Sequence, residues 1–250
     1  MNTVKPFEIV HEDKYIVAVN KSSGVPVTPD RYDRAKKNLF ELVSAVVRKR
    51  LWVIHRIDSA TSGLVVFAKD PRTHSKLSVL FENRRVEKTY LAAVHGRPMW
   101  QEQICDLALV PDGNKKHQTI VDRYNGKKSK TNFKLLCTAG NYALLEAKPE
   151  TGRTHQIRVH AAALGHPIIC DNFYGSGAPV YLSQFKKKWR GDKIDERPLI
   201  DRLALHAETL FLPDYGCGEQ TLSASLPRDF TALKNQMEKN ALQTPVVPCE

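Results

Sequence analysis

Three short segments hold most of the side chains that could do chemistry in this sequence of 250 residues. Residues 55–62 (HRIDSATS) are polar and lie between two apolar stretches, 51–54 and 63–69. They contain a single carboxylate, Asp58, with His55 and Arg56 before it and Thr61 after it. A lone aspartate in such a place can act as nucleophile or base. It can also do no more than bond its own backbone in a turn. Tyr90, within 88–92 (KTYLA), reads as a strand residue, and a strand tyrosine is most often a packing residue. Residues 152–160 (GRTHQIRVH) gather Arg153, His155, Gln156 and Arg158 at the expected start of a helix, with Thr151 or Thr154 as its cap. The helix dipole disfavours a cation there by roughly 0.3–1 kcal/mol. Arg153 therefore either points into water or meets an anion, a carboxylate or a phosphate. So many donors at one helix start suit phosphate or nucleotide contact.

The composition narrows the class of partner. Lys and Arg total 38 against 27 Asp and Glu, a net charge of +11, which favours a polyanion. Basic clusters at 48–50, 84–88, 127–130 and 186–190 together suggest an RNA-binding surface. Hydrophobic residues make up 42% and run the whole length, which argues against disorder. No apolar run approaches the roughly 20 residues needed to span a membrane, and residues 1–8 lack the order of a signal peptide. The five cysteines are odd in number and form no C-x-x-C pair, which argues for a reducing compartment and a cytoplasmic protein. His155 and His160 stand five apart, off the spacing that would put two ligands on one helical face. No metal site is expected.

The elements that must position these segments follow from periodicity. Strands are expected at 16–20, 51–54, 63–69, 89–95, 131–137 and 142–148, and helices at 38–49, 73–84, 153–164 and 230–237. Asn38 can cap the first helix, with Glu41 three residues on as its capping-box partner. Gly165 and Pro167 stop the third. Phe230, Leu233 and Met237 share one face of the last.

Residues 55–69 (HRIDSATSGLVVFAK) resemble the signature of the RluA-type family of RNA pseudouridine synthases, in which H-R-L-D and two further residues lead to T-S-G and a hydrophobic strand. The K-x-Y at 88–90, residues 152–160, 166–175 (HPIICDNFYG) and 202–207 (RLALHA) match later motifs of that family, in the same order. The likeness covers roughly residues 8–225. There are departures. Residues 20–24 read NKSSG where proline usually follows the lysine, Ile57 replaces leucine, and Cys170 stands where glycine is usual.

The resemblance implies a mixed α/β pseudouridine synthase fold, with a long, mainly antiparallel sheet shared by two subdomains and a catalytic cleft. The catalytic domain would be residues 1–225, with a C-terminal helix and tail at 226–250 and no separate N-terminal RNA-binding domain. It implies an isomerase that detaches uracil from its ribose at nitrogen 1 and rejoins it through carbon 5. No atom leaves and no redox change occurs, so no cofactor is expected. Asp58 would be the central carboxylate, and three roles fit it: attack on ribose carbon 1′, attack on uracil carbon 6, or removal of the 2′ proton. Arg153 would pair with Asp58, and Tyr90 would stack on the base and help remove the proton from carbon 5. The uridine must leave its stack, at a cost of a few kcal/mol. Arg56 would fill the vacated space, Ile157 would pack on the base, and His55, Thr61, Gln156 and Arg158 would contact RNA. The expected partner is structured RNA, a ribosomal or transfer RNA stem-loop, bound by a monomer away from any membrane.

Two other readings compete. A non-catalytic RNA-binding or RNA-folding protein on the same fold would not need Asp58, Tyr90 and Arg153 together. A nucleoside hydrolase would need paired carboxylates or an acidic cluster, and near Asp58 only Asp70 is a candidate.

Overall fold

The computed structural model describes residues 5–29, 37–186, 189–192 and 195–241. In chain order the elements are β1 (Phe7–Glu12), β2 (Ile16–Lys21), α1 (Leu39–Val47), β3 (Trp52–Val53), β4 (Ser62–Ala68), α2 (Pro71–Glu82), β5 (Glu87–His95), β6 (Glu102–Cys105), β7 (Leu109–Val110), β8 (Ile120–Val121), β9 (Thr131–Ala139), β10 (Tyr142–Pro149), α3 (Gln156–Ala163), β11 (Leu205–Leu212), β12 (Gln220–Ser223) and α4 (Arg228–Lys239). Ten strands form one mostly antiparallel sheet in the order β1-β2-β4-β11-β5-β10-β9-β6, with β3 also on β4 and β12 on β11. The expected mixed α/β fold is therefore present. β7 and β8 form a separate two-stranded ribbon. The chain divides into two compact units: residues 1–90, 148–154 and 205–227, and residues 91–147, 155–204 and 228–250.

In the first unit, β2 and β4 are buried on both faces, so their apolar residues run continuously instead of alternating with polar ones. Val17, Val19, Val65 and Phe67 meet Leu39 and Val43 of α1 on one face. Ile16, Ala18, Leu64 and Val66 meet Leu77 of α2 on the other. Both helices have strong N-terminal signals. Asn38 accepts the Glu41 amide at 3.0 Å, and Asp70 accepts the amides of Arg72 and Thr73 with Pro71 in the first turn. The second cap moves the helix start from 73 to 71, and it makes Asp70 a cap and not a partner of Asp58.

Gly63 lies where β4 and β11 run parallel, opposite Ala207. Its φ is +112°, and a Cβ there would sit 2.2 Å from the Ala207 carbonyl oxygen. Only glycine combines this backbone with so close an approach.

In the second unit, α4 packs on β9 and buries Phe230, Leu233 and Met237, the face expected from their spacing. Its first turn is tied by Asp229, which accepts both Nε and Nη2 of Arg202 at 2.6 and 2.7 Å. Cys170 has a left-handed backbone, φ +58°, which explains why glycine suits this position. Residues 187 and 188 of the basic run at 186–190, Cys249 and the end of the expected tail lie outside the described residues.

The expected helix at 153–164 begins instead at Gln156. His155 is left-handed, φ +53°, and a helix cannot run through that conformation. Neither Thr151 nor Thr154 caps it. Arg153 thus lies on the connection before the helix, and the dipole argument for its need of an anion does not apply. Strands β1, β6, β7, β8, β11 and β12 go beyond the elements expected from periodicity. Several are two to four residues long and partly polar, too short to carry an alternation signal.

Candidate active site

Asp58 is half-buried in the loop between β3 and β4. Its carbonyl accepts the Thr61 amide at 3.1 Å, closing a turn, so the local reading of a turn aspartate is correct for its backbone. The loop is then fixed from residues 21–24. Lys21 is fully buried and donates its ammonium to the carbonyl oxygens of Ser59 at 2.9 Å and Ser22 at 3.0 Å. The Gly24 amide also donates to the Ser59 carbonyl at 2.8 Å, and Ser23 Oγ donates to the Ala60 carbonyl at 2.6 Å. The residue that departs in NKSSG, Ser22, is engaged elsewhere: its hydroxyl donates to the Lys5 carbonyl at 2.7 Å and its amide to the Pro6 carbonyl at 3.0 Å. Lys21 is the residue that sequence reasoning missed here. Its signal is a lysine at the end of the apolar run IVAVNK.

On the far side of the loop, Ser62 Oγ lies 3.0 Å from His206 Nδ1, and His206 Nε2 lies 3.1 Å from the Ala224 carbonyl. A carbonyl can only accept, so Nε2 carries a proton. This links the T-S-G segment to the RLALHA segment inside the core.

Tyr90, 32 residues from Asp58 in sequence, is brought to the same neighbourhood. It packs against the core cluster that includes Ile57, Phe67 and Ala207. Burial first, and then the negative charge of Asp58, push its phenol well above the usual tyrosine range. Tyr90 is therefore a neutral ring with an O–H donor at physiological pH.

Arg153 is half-buried in the same unit as Asp58 and Tyr90. Its connection is held by Lys88, which reaches the Thr151 carbonyl at 3.4 Å. Burial, and then the charge of Arg84, pull the Lys88 ammonium down to about 8.

The residues expected to contact RNA fall into two groups. Arg56 is exposed beside Asp58. Thr61 is buried, and its hydroxyl has no hydrogen-bond partner among the described residues. His55 has a structural engagement: it accepts the Val66 amide on Nε2 at 3.1 Å and stacks on Phe81 with centroids 4.9 Å apart. Burial, and then the charge of Lys88, pull it down to about 3, so it is neutral.

Gln156, Ile157 and Arg158 are all buried in the second unit. Gln156 Nε2 donates to the Lys130 carbonyl and to Thr131 Oγ1, each at 2.9 Å. Arg158 donates from Nε and Nη2 to the two oxygens of Asp171, each at 2.8 Å, with the rings of Phe173 and Tyr174 against its guanidinium. Burial works to raise the Asp171 carboxyl, but Arg158 and the amides of Phe173 and Tyr174 hold it below the usual range. These side chains support the fold around α3. Among the described residues no three or more His, Cys, Asp and Glu gather as metal ligands would. No helix there is long and apolar enough to cross a membrane.

A mixed α/β sheet with an aspartate in a firmly held loop and a half-buried tyrosine in the same unit is the setting in which the known proteins fall into place. The family model of RNA pseudouridylate synthases matches residues 15–163, and the chain belongs to that family. It is an isomerase that converts uridine to pseudouridine in RNA. Among the curated relatives, the dual-specificity RNA pseudouridine synthase RluA of Salmonella typhi is 35% identical over 225 residues, 89% of this chain and 93% of that protein. The ribosomal large subunit pseudouridine synthase D of Zymomonas mobilis is 31% identical over 237 residues, 91% of this chain and 72% of that one. Among solved structures, human RNA pseudouridylate synthase domain containing 4 superposes with a TM-score of 0.72 at 30% identity, covering 92% of each chain.

Proposed function

We propose that Asp58 is the carboxylate of the isomerisation, that Tyr90 is the ring on which the uracil stacks, and that Arg153 acts with Asp58 as one unit. The observation that supports this most is that Tyr90, 32 residues from Asp58 in sequence, packs against the core cluster that contains Ile57, the residue before Asp58. A carboxylate is needed because charge develops at the sugar as the base departs. The raised phenol favours stacking and hydrogen-bond donation by Tyr90 over removal of the carbon 5 proton, since a base would first have to lose its own proton. Arg56, exposed beside Asp58, is the side chain that fills the space left by the extruded uridine. Thr61 lies at the closure of the Asp58 turn.

The substrate is proposed to be a structured RNA, a stem-loop of ribosomal or transfer RNA. The name of the Zymomonas relative points to the large ribosomal subunit. The enzyme is proposed to act as a cytoplasmic monomer without metal or cofactor.

The test is Asp58→Asn, with pseudouridine mapped in total RNA and RNA binding measured in parallel. The amide keeps the shape but cannot be nucleophile or base. Isomerisation should be abolished and binding should stay within a few-fold of the parent. Turnover above a few per cent would remove Asp58 from the central role, and free uracil as product would favour a hydrolase instead. Losses in Arg153→Ala and Asp58→Asn that simply multiply would separate Arg153 from Asp58.

A further inference from the structure

The excursion between β6 and β9, residues 106–130, is attached to the protein more firmly than a surface ribbon needs to be. A lone two-stranded ribbon is marginally stable. Here Leu109 is fully buried and exchanges both backbone hydrogen bonds with Lys127, at 3.0 and 2.9 Å. α3 holds the two ends: His160 Nε2 donates to the Leu107 carbonyl at 3.0 Å, and Gln156 holds the Lys130 carbonyl at 2.9 Å. The middle is held by the segment after α3, where Gln118 donates to the Phe173 carbonyl at 2.7 Å and the Thr119 amide donates to Tyr174 Oη at 2.9 Å.

This anchored excursion presents a charged surface. Between 112 and 130 it has Lys115, Lys116, Arg123, Lys127, Lys128 and Lys130 against two aspartates. One of those, Asp122, is engaged in its own turn: Oδ1 accepts the amides of Tyr124 and Asn125 at 2.9 and 3.0 Å. Asp122 thereby fixes the backbone of Tyr124, whose ring is 96% exposed. An aromatic ring in water on a rigid turn contributes nothing to the core. Arg123, the residue before it, lines an open pocket of about 360 Å³ together with Asp106, Leu107 and Ala108. None of Asp58, Tyr90 and Arg153 lines it.

We propose that the 106–130 excursion is a second RNA-binding site, one that takes an unpaired nucleotide, with its base stacked on Tyr124 and its phosphates against Arg123 and Lys127. Aromatic rings bordered by cations are how proteins hold single-stranded RNA, since every base has a face to stack and every link a phosphate. An anionic protein partner would use the cations but not the ring. The site rests on RNA being the substrate and not on which residue does the chemistry.

The experiment measures binding of fluorescein-labelled C12 RNA and of a 12-base-pair RNA duplex to the full chain by fluorescence anisotropy. Tyr124→Ala should weaken C12 binding roughly 5- to 100-fold, leave duplex binding within two-fold and leave the salt dependence unchanged. Tyr124→Phe and Tyr124→Trp should bind C12 within two-fold of the parent. The double variant Arg123→Ala, Lys127→Ala should weaken binding to both RNAs and reduce the slope of log K against log salt for C12 by about 1.4, two contacts at 0.7 each. The exposed ring makes loss of folding in Tyr124→Ala unexpected, and an unchanged melting temperature checks it. C12 binding by Tyr124→Ala within two-fold of the parent would overturn the site, as would equal weakening of single strand and duplex. Pseudouridine formation in total RNA is followed alongside. A parent that isomerises RNA but does not bind C12 overturns this site alone. A parent that isomerises no RNA overturns the activity.

Discussion

Lys21 Nζ lies 2.9 Å from the carbonyl oxygen of Ser59, the residue that follows Asp58. A fully buried lysine is costly, and it is kept where it holds the loop of the proposed catalytic carboxylate. Replacing it by methionine keeps the stem but leaves the Ser59 and Ser22 carbonyls without this donor. Lys21→Met should lower stability by about 1–3 kcal/mol and reduce kcat more than RNA affinity. Urea unfolding and single-turnover rates measure the two. Full turnover with only lowered stability would mean that the lysine has no part in positioning the loop.

Gly63 and Gly24 form an internal comparison. Both have positive φ, but a Cβ on Gly63 meets the Ala207 backbone at 2.2 Å, whereas one on Gly24 meets nothing within 4 Å. Gly24→Ala should cost about 1–3 kcal/mol, from strain alone. Gly63→Ala should cost more than about 4 kcal/mol or prevent folding, because backbone has to move. Similar melting temperatures for the two variants would contradict the close approach of β4 and β11.

His55 makes stability depend on acid. Its pKa is about 3 folded and 6.5 unfolded. The unfolded chain therefore takes up the proton first as pH falls, and stability contributed by the neutral ring, complete above 6.5, declines from there toward 3. The slope approaches about 1.4 kcal/mol per pH unit, so about 2 kcal/mol should be lost between pH 6.5 and 5. In His55→Gln this part of the acid loss should vanish. Parallel stability curves for parent and variant, measured by urea unfolding from pH 7 to 5, would refute it.

Arg158 and Asp171 are a buried, bidentate pair. Removing one charge leaves the other uncompensated, so Asp171→Asn should cost about 3–5 kcal/mol. Arg158→Lys should also destabilise, since lysine cannot make the two-pronged contact. If either change left the melting temperature unaltered while RNA binding fell, Arg158 would be a direct RNA contact as first expected.

What the sequence determined by itself was local. The strands β2 and β4, the Asn38 cap, the face of α4 and the segments holding Asp58, Tyr90 and Arg153 were legible because period, capping and motif order are properties of neighbouring residues. Tertiary structure decided which polar side chains turn inward. His55, Gln156 and Arg158 look alike in sequence to Arg56, as donors near a reactive segment, but their partners Val66, Thr131 and Asp171 lie 11 to 25 residues away. The start of α3 was decided in the same way. Nothing in the local sequence requires the left-handed turn at His155, whose ring meets Phe173, Tyr174 and the Tyr174 hydroxyl, 18 or 19 residues on. A side chain's exposure depends on what the rest of the chain brings against it, and chain closure over such distances leaves no periodic trace.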